Sequence, residues 1–261
     1  MNKTNRIQKL LTNPVIISLF IFIVLFIITI NRPMFCDEGI WHYIGKAWIE
    51  NDMPPYKFTV ENKNPAIYEL YAISDYLFGV NYMFVRFLGI FSVVLTTVVL
   101  FNIGSKLHSR TAGIIAMYIY GLNSSWEIMN GQFPSLTENF TCLFTALSLY
   151  FVIKSINNKR FHLHLLLSGI FIGIAISFKQ TAIFSFLGLI GFIIIYLPWN
   201  KNIIGLIKSG FILLGGMIIA CLVFLIPIFL SKVSLMEYID GAWLILLNNG
   251  SSKDLLYRLY H

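Results

Sequence analysis

The chain has 261 residues, 57% of them hydrophobic and only 12% charged, about half the charge of an ordinary soluble domain. That composition excludes a soluble core, and the missing period-two alternation excludes a membrane barrel. The net charge of +7 needs no nucleic-acid partner, because much of the excess lies in short loops between apolar runs, where anionic headgroups attract it.

Taken in order, the first apolar run is "PVIISLFIFIVLFIITIN", Pro14 to Asn31, preceded by Lys3, Arg6 and Lys9. It is longer than a signal-peptide core, and "NRPMF" lacks a small-residue cleavage site, so it reads as a retained span. Charge-poor windows predict seven spans in all: 14–31, 84–105, 111–129, 136–153, 163–178, 180–198 and 209–230. With the basic N-terminus cytoplasmic, the inner segments hold ten of the nineteen Lys and Arg residues, as the positive-inside rule expects. All twelve Asp and Glu residues fall on the outer side. The polar chemistry is expected there.

About fifty residues separate the first two spans, too many for an idle connector. "CDEGIWHYIGKAWIEN" predicts an interfacial helix, with Ile40, Trp41, Ile44, Ala47 and Trp48 toward the headgroup layer. Glu38, His42, Lys46 and Glu50 recur at intervals of four on its polar face. "NPAIYELYAISDYLFG" predicts a second helix, capped by Asn64, opened by Pro65 and closed by Gly79. Its stripe is Ile67, Leu70, Tyr71, Ser74 and Phe78. The fold expected is therefore all-α: a polytopic membrane helix bundle with two interfacial helices in the first outer loop. Residues 1–230 form the transmembrane module, and 231–261 an outer C-terminal segment. In that segment Leu235, Tyr238, Ile239 and Trp243 are expected to face lipid.

Further along, "GIFIG" (Gly169 to Gly173) is a small-xxx-small pattern that marks close helix packing. Cys36, Cys142 and Cys221 fit neither a metal site nor a disulfide framework. No phosphate-binding glycine loop is present.

Asp37 and Glu38 stand out at the first span's outer edge. An Asp before a helix, with a Glu in its first turn, is a good cap. The same pair could serve as a base at the membrane surface. Lys63, Arg86 and Lys179 lie near the outer boundary, where basic side chains often snorkel to headgroups. Lys179, in "SFKQTAIF", leaves so little connector that its charge must occupy a tight turn or face a cavity. Glu127 and Glu138 flank the short outer loop "IMNGQFPSLT".

Several of these segments, in order, resemble the GT-C membrane glycosyltransferases. The likeness is to the branch of dolichyl-phosphate-mannose protein mannosyltransferases and lipid A aminoarabinose transferases. The matching pieces are "FCDEGIWHYIGKAWIEND", "VENKNPAIYELYAI", "NYMFVRFLGIFS", "GQFPSLTENFTCLFTAL" and "GIFIGIAISFKQTAIF". They correspond to an Asp-Glu pair, a Lys-Pro-type loop, an Arg entering the second span, an acid before the fourth span, and a Lys between the fifth and sixth. Two positions depart from the pattern: Asn62 stands where several relatives carry an acid, which is either displaced to Glu61 or lost, and Glu138 replaces an Asp.

The resemblance implies sugar transfer from a polyprenyl-phosphate donor to an acceptor hydroxyl of a lipid, glycan or protein, with inversion, on the non-cytoplasmic face. It assigns catalysis to Asp37 and Glu38, with Asp37 as the base. It assigns donor-phosphate binding to Lys63, Arg86 and Lys179, and an acceptor-side or supporting role to Glu138. A divalent metal is left open, since no ligand spacing requires one. The expected location is an integral, multi-pass membrane protein, in the plasma membrane if the source is prokaryotic. Two other readings stand beside this one. A transporter or lipid flippase would be expected to place ionisable groups at the bilayer midplane, whereas these gather at one face. A truncated, non-catalytic homologue could instead assist envelope assembly.

Overall fold

A computed structural model describes residues 13–30, 32–59, 61–129, 133–156, 159–196 and 203–245. Among them the chain is all-α, with no strand. Helix α1 runs Pro14–Thr29, α2 Cys36–Asn51, α3 Ala66–Phe78, α4 Met83–Leu107 and α5 Arg110–Met129. Then come α6 Thr137–Ser155, α7 Phe161–Phe178, α8 Ala182–Tyr196, α9 Ile203–Leu230 and the short α10 Leu235–Ile239, continued by a π-helical turn over Asp240–Leu244. Each predicted apolar window coincides with a helix. Among the described residues three helices (Met83–Leu107, Phe161–Phe178 and, within α9, Ile204–Leu230) are long and apolar enough to cross a membrane. The last begins several residues before its predicted window and takes in Lys208.

Local signals set the helix ends. The Asn13 side chain caps α1 by accepting from the Val15 amide at 3.1 Å, with Pro14 in the first turn. Gly79 closes α3 at φ 70°, as its sequence position predicts. Asn64 does not cap that helix. Pro65 occupies the cap position, and the Asn64 side chain reaches the Ile176 carbonyl at 2.5 Å instead. A long-range contact has taken the polar group that local pattern gave to the helix end.

The long helices meet through small residues. A Cβ on Gly169 would lie 2.1 Å from the Leu213 carbonyl oxygen, and one on Gly173 would lie 2.5 Å from that of Met217. The small-xxx-small pattern thus brings α7 onto α9 at backbone distance. Between α6 and α7, Ser148 and Ser168 exchange hydrogen bonds at 2.8–2.9 Å.

Helices α2 and α3 form where expected, but they pack differently. Trp41 is 1% exposed and sits in the core with Tyr68, Tyr71 and Phe133. Trp48 donates to Ser231 at 2.8 Å. The apolar face of α2 therefore lies on protein, while Ile40, Tyr43 and Ile49 face outward. Glu38 and His42, expected on an exposed polar face, are buried. Tyr238, Ile239 and Trp243 likewise pack on this core instead of facing lipid; Leu235 is exposed.

Candidate active site

The site is built at one end of the bundle, where α2 begins, α4 and α6 begin, and α7 ends. Helix α2 starts at Cys36, with Phe35 at the cap position and no side-chain cap bond. Asp37 is thus inside the first turn, not the cap. There its charge suits the helix dipole.

Successive residues on a helix point about 100° apart, and this separates the two acids. Glu38 turns inward. Its carboxylate takes a two-pronged contact from Arg86, Nε to Oε1 at 2.8 Å and Nη2 to Oε2 at 2.5 Å, and both side chains are 0% exposed. Ser135 donates to Oε1 at 2.7 Å. The Tyr71 hydroxyl lies 3.1 Å from Ser135 Oγ and 3.5 Å from Oε1. Burial pushes the Tyr71 phenol well above its usual range, so it remains a neutral donor. Two glycines let these partners approach. A Cβ on Gly89 would meet the Pro134 carbonyl, beside Ser135, and one on Gly45 would meet Tyr71 and Ala72.

Arg86 is fully engaged. Beyond Glu38 it donates to the carbonyls of Ile30 at 2.7 Å, Arg32, and Pro33 at 3.1 Å. Its guanidinium also lies 4.7 Å from the Tyr82 ring centre. One side chain therefore ties the end of α1, the connector and the start of α2 together. No N–H is left pointing at open space for a phosphate.

Asp37 is exposed and has no hydrogen-bond or ion-pair partner among the described residues. Helical spacing aligns it with Ile40 and Ile44. Both line a cleft of about 450 Å³, together with Cys36, Tyr43, Thr59 and Glu61. Asp37 itself is not among the lining residues; it follows Cys36, which is.

The remaining candidates form two half-exposed ion pairs. Lys63 lies 3.7 Å from Glu61 and 5.8 Å from the Trp41 ring centre. Lys179, at the end of α7, meets Glu138 in the first turn of α6 at 2.5 Å. Their backbones are joined: Gln180 donates to the Asn62 carbonyl and, at 2.6 Å, to that of Ala242. Tyr56 donates to the Lys63 carbonyl at 2.7 Å. Tyr56 is itself left-handed at φ 69°, a conformation non-glycine residues rarely adopt. The Glu127 side chain lies outside the described residues. Among the described residues no three His, Cys, Asp or Glu side chains converge as metal ligands.

Sequence reasoning missed Ser135 and Tyr71, which hold Glu38. It also left aside His42, whose Nε2 lies 2.9 Å from Asp75, both groups buried. Asp75, one of two acids in the largely apolar α3, was the available signal.

The fold is an all-α membrane bundle with acids paired to cations at one end of its long helices, and the family match places it among the membrane glycosyltransferases of the GT-C type. Residues 62–229, well over half its length, match the dolichyl-phosphate-mannose-protein mannosyltransferase family, to which the chain belongs. The matched region includes Lys63, Arg86, Glu138 and Lys179 and begins after the Asp37–Glu38 turn. Comparisons with curated proteins and with solved structures gave no match.

Proposed function

We propose that the chain transfers a sugar from a polyprenyl-phosphate donor to an acceptor hydroxyl on the non-cytoplasmic face, with Asp37 as general base. The observation that carries this reading is the division of labour between neighbouring acids. Glu38 is spent on Arg86, while Asp37 stands exposed and unpartnered, among the described residues, next in the chain to Cys36, which lines a cleft. In the proposed step the acceptor oxygen attacks the sugar C1 as its proton passes to the Asp37 carboxylate. The C1–O bond to phosphate breaks, and the lipid phosphate leaves with the bonding pair. A single displacement inverts C1.

The departing phosphate needs cations. Lys63 and Lys179 suit that role, because each is partly exposed and held by a carboxylate it can exchange for phosphate. Glu138 then serves as the partner that keeps Lys179 in place before donor arrives. Arg86 and Glu38 become positioning residues that fix the α2 turn, a reassignment supported by the complete engagement of the guanidinium. Positive-inside charge supports a cytoplasmic N-terminus, with the cleft on the other side. The segment 231–245 belongs with the 1–230 module in function, since Ala242 and Tyr238 brace the Lys63 loop.

The test is transfer from a panel of radiolabelled polyprenyl-phosphate sugars in membranes, comparing the native chain with Asp37→Asn. A general base contributes roughly 10²–10⁴-fold, and because Asp37 is exposed and unpaired its amide should lower the melting temperature only slightly, through the lost interaction with the helix dipole. Equal transfer by both would remove Asp37 from the mechanism. Absence of transfer by the native chain across the panel would favour a non-catalytic role.

A further inference from the structure

We infer that the opposite end of the bundle carries a binding site for the phosphate of an anionic phospholipid, built by Lys106, Lys154 and His164. Lys106 near the end of α4 and Lys154 near the end of α6 converge on one ring, their Nζ atoms 4.8 and 5.8 Å from the centre of Tyr150. Lys154 also lies 5.6 Å from the ring centre of Phe151, whose ring also neighbours His164, ring centres 6.0 Å apart. His164 is 6% exposed, and its Nδ1 is buried without a hydrogen-bond partner.

Two ammonium groups drawn to one aromatic ring repel each other, and Tyr150 can offset only part of that. Neither lysine has a carboxylate partner among the described residues. None is within reach by topology either: every described acid lies toward the Asp37 end of its helix or in the segments packed there. An anion is the missing element.

Position identifies its source. Arg86 and Lys106 are twenty residues apart on α4, about 30 Å at 1.5 Å per residue, the thickness of the hydrocarbon core. The cluster therefore lies at the opposite headgroup layer from Arg86. A phosphodiester there can place its oxygens between the lysines and beside the His164 imidazole while its chains remain in the bilayer. Basic pockets between helices bind such headgroups.

The test uses purified native protein and three single-charge variants, Lys106→Gln, Lys154→Gln and Lys208→Gln. Lys208 is exposed near the start of α9, at the same end of the bundle. In phosphatidylcholine nanodiscs, short-chain phosphatidylglycerol is titrated and bound lipid is counted by native mass spectrometry. Loss of Lys106 or Lys154 should weaken binding roughly five-fold, the effect of one basic residue beside an anionic surface, and Lys208→Gln should leave it unchanged. An equal loss in all three would mean diffuse surface charge and overturn the site. Displacement of the lipid by millimolar inorganic phosphate would overturn the lipid assignment in favour of the free anion. Melting temperature with and without phosphatidylglycerol gives an independent reading: a rise in the native chain that is lost in Lys154→Gln supports the site, and its absence in the native chain overturns it.

Discussion

The α7–α9 seam and the corner where α2, α3 and α4 meet face one problem, two helix backbones brought together away from water, and they solve it differently. In the seam, Gly169, Gly173 and Gly216 remove the side chains, and contact is made by backbone and methyl groups. In the corner, a buried charge pair, Glu38–Arg86, and a second polar pair, His42–Asp75, join elements far apart in sequence. The seam incurs little desolvation penalty, and the hydrogen bond that crosses it, Cys221 Sγ to the Gly173 carbonyl at 3.6 Å, is a weak one. The corner carries a large penalty for burying ions, offset only because the pair is complete. In return it fixes the rotation of α2 about its axis, and with it the direction in which Asp37 points. Close packing holds a scaffold; a buried pair aims a residue.

The sharpest way to break this comparison is to remove half of the pair. Arg86→Met leaves the Glu38 carboxylate buried without its cation, and such losses cost about 3–5 kcal/mol. The expected result is a large fall in melting temperature in detergent and loss of sugar transfer. The double variant Glu38→Met with Arg86→Met should recover much of the stability, because the charge is gone, while transfer stays low. Recovery of both would show that the pair does not aim Asp37.

The seam should respond in the opposite sense. Gly169→Val drives a side chain into the Leu213 carbonyl, 2.1 Å from where the Cβ would sit, and overpacking costs about 1–3 kcal/mol. Transfer per folded molecule should be unaltered. A changed KM would link the seam to the site.

A smaller effect separates these buried acids from a third. Glu69 in α3 lines an apolar pocket with Trp48, Ala72 and Pro227, and one of its oxygens has no partner. Burial raises its pKa to about 8 from 4.5. The folded state therefore holds a proton that the unfolded chain releases. The associated stability is complete below about pH 4.5, declines as pH rises toward 8, and is absent above. Melting temperature followed from pH 5 to 9 should fall in the native chain and stay flatter in Glu69→Gln. Identical slopes would place the ionisation elsewhere.

The seam was legible in the sequence because its cause is local: two glycines four residues apart lie on one helix face. So was the Gly79 end of α3. The corner was legible only in part. Glu38, His42, Lys46 and Glu50 share a period of four, which correctly puts them on one face but does not say what that face meets. The first two meet Arg86 and Asp75, 48 and 33 residues away, and become buried; the last two pair with each other at 3.7 Å and remain in contact with solvent. Asn64 was misread for the same reason, since its amide serves Ile176 on another helix. Asp37 kept its interest for a different cause. The helix begins two residues earlier than a capping role would require, leaving the acid in the first turn and exposed.

Ser135 tests how finely the corner is tuned. It is the one hydroxyl donating a short bond to Glu38, and it reaches that position because Gly89 lets the 133–136 loop lie against α4. In Ser135→Ala the carboxylate keeps both contacts to Arg86, and the Tyr71 hydroxyl, freed from Ser135, can turn to Oε1 from 3.5 Å. A hydrogen bond to a charged group is worth about 1.5–3 kcal/mol. With Tyr71 as substitute donor, the stability loss should fall at or below the low end of that range. Activity distinguishes the two views of the corner. If Glu38 serves only to hold helices, transfer should track stability and change little. If it aims Asp37, kcat should fall several-fold with KM nearly constant, and Ser135→Thr, which keeps the hydroxyl, should restore it.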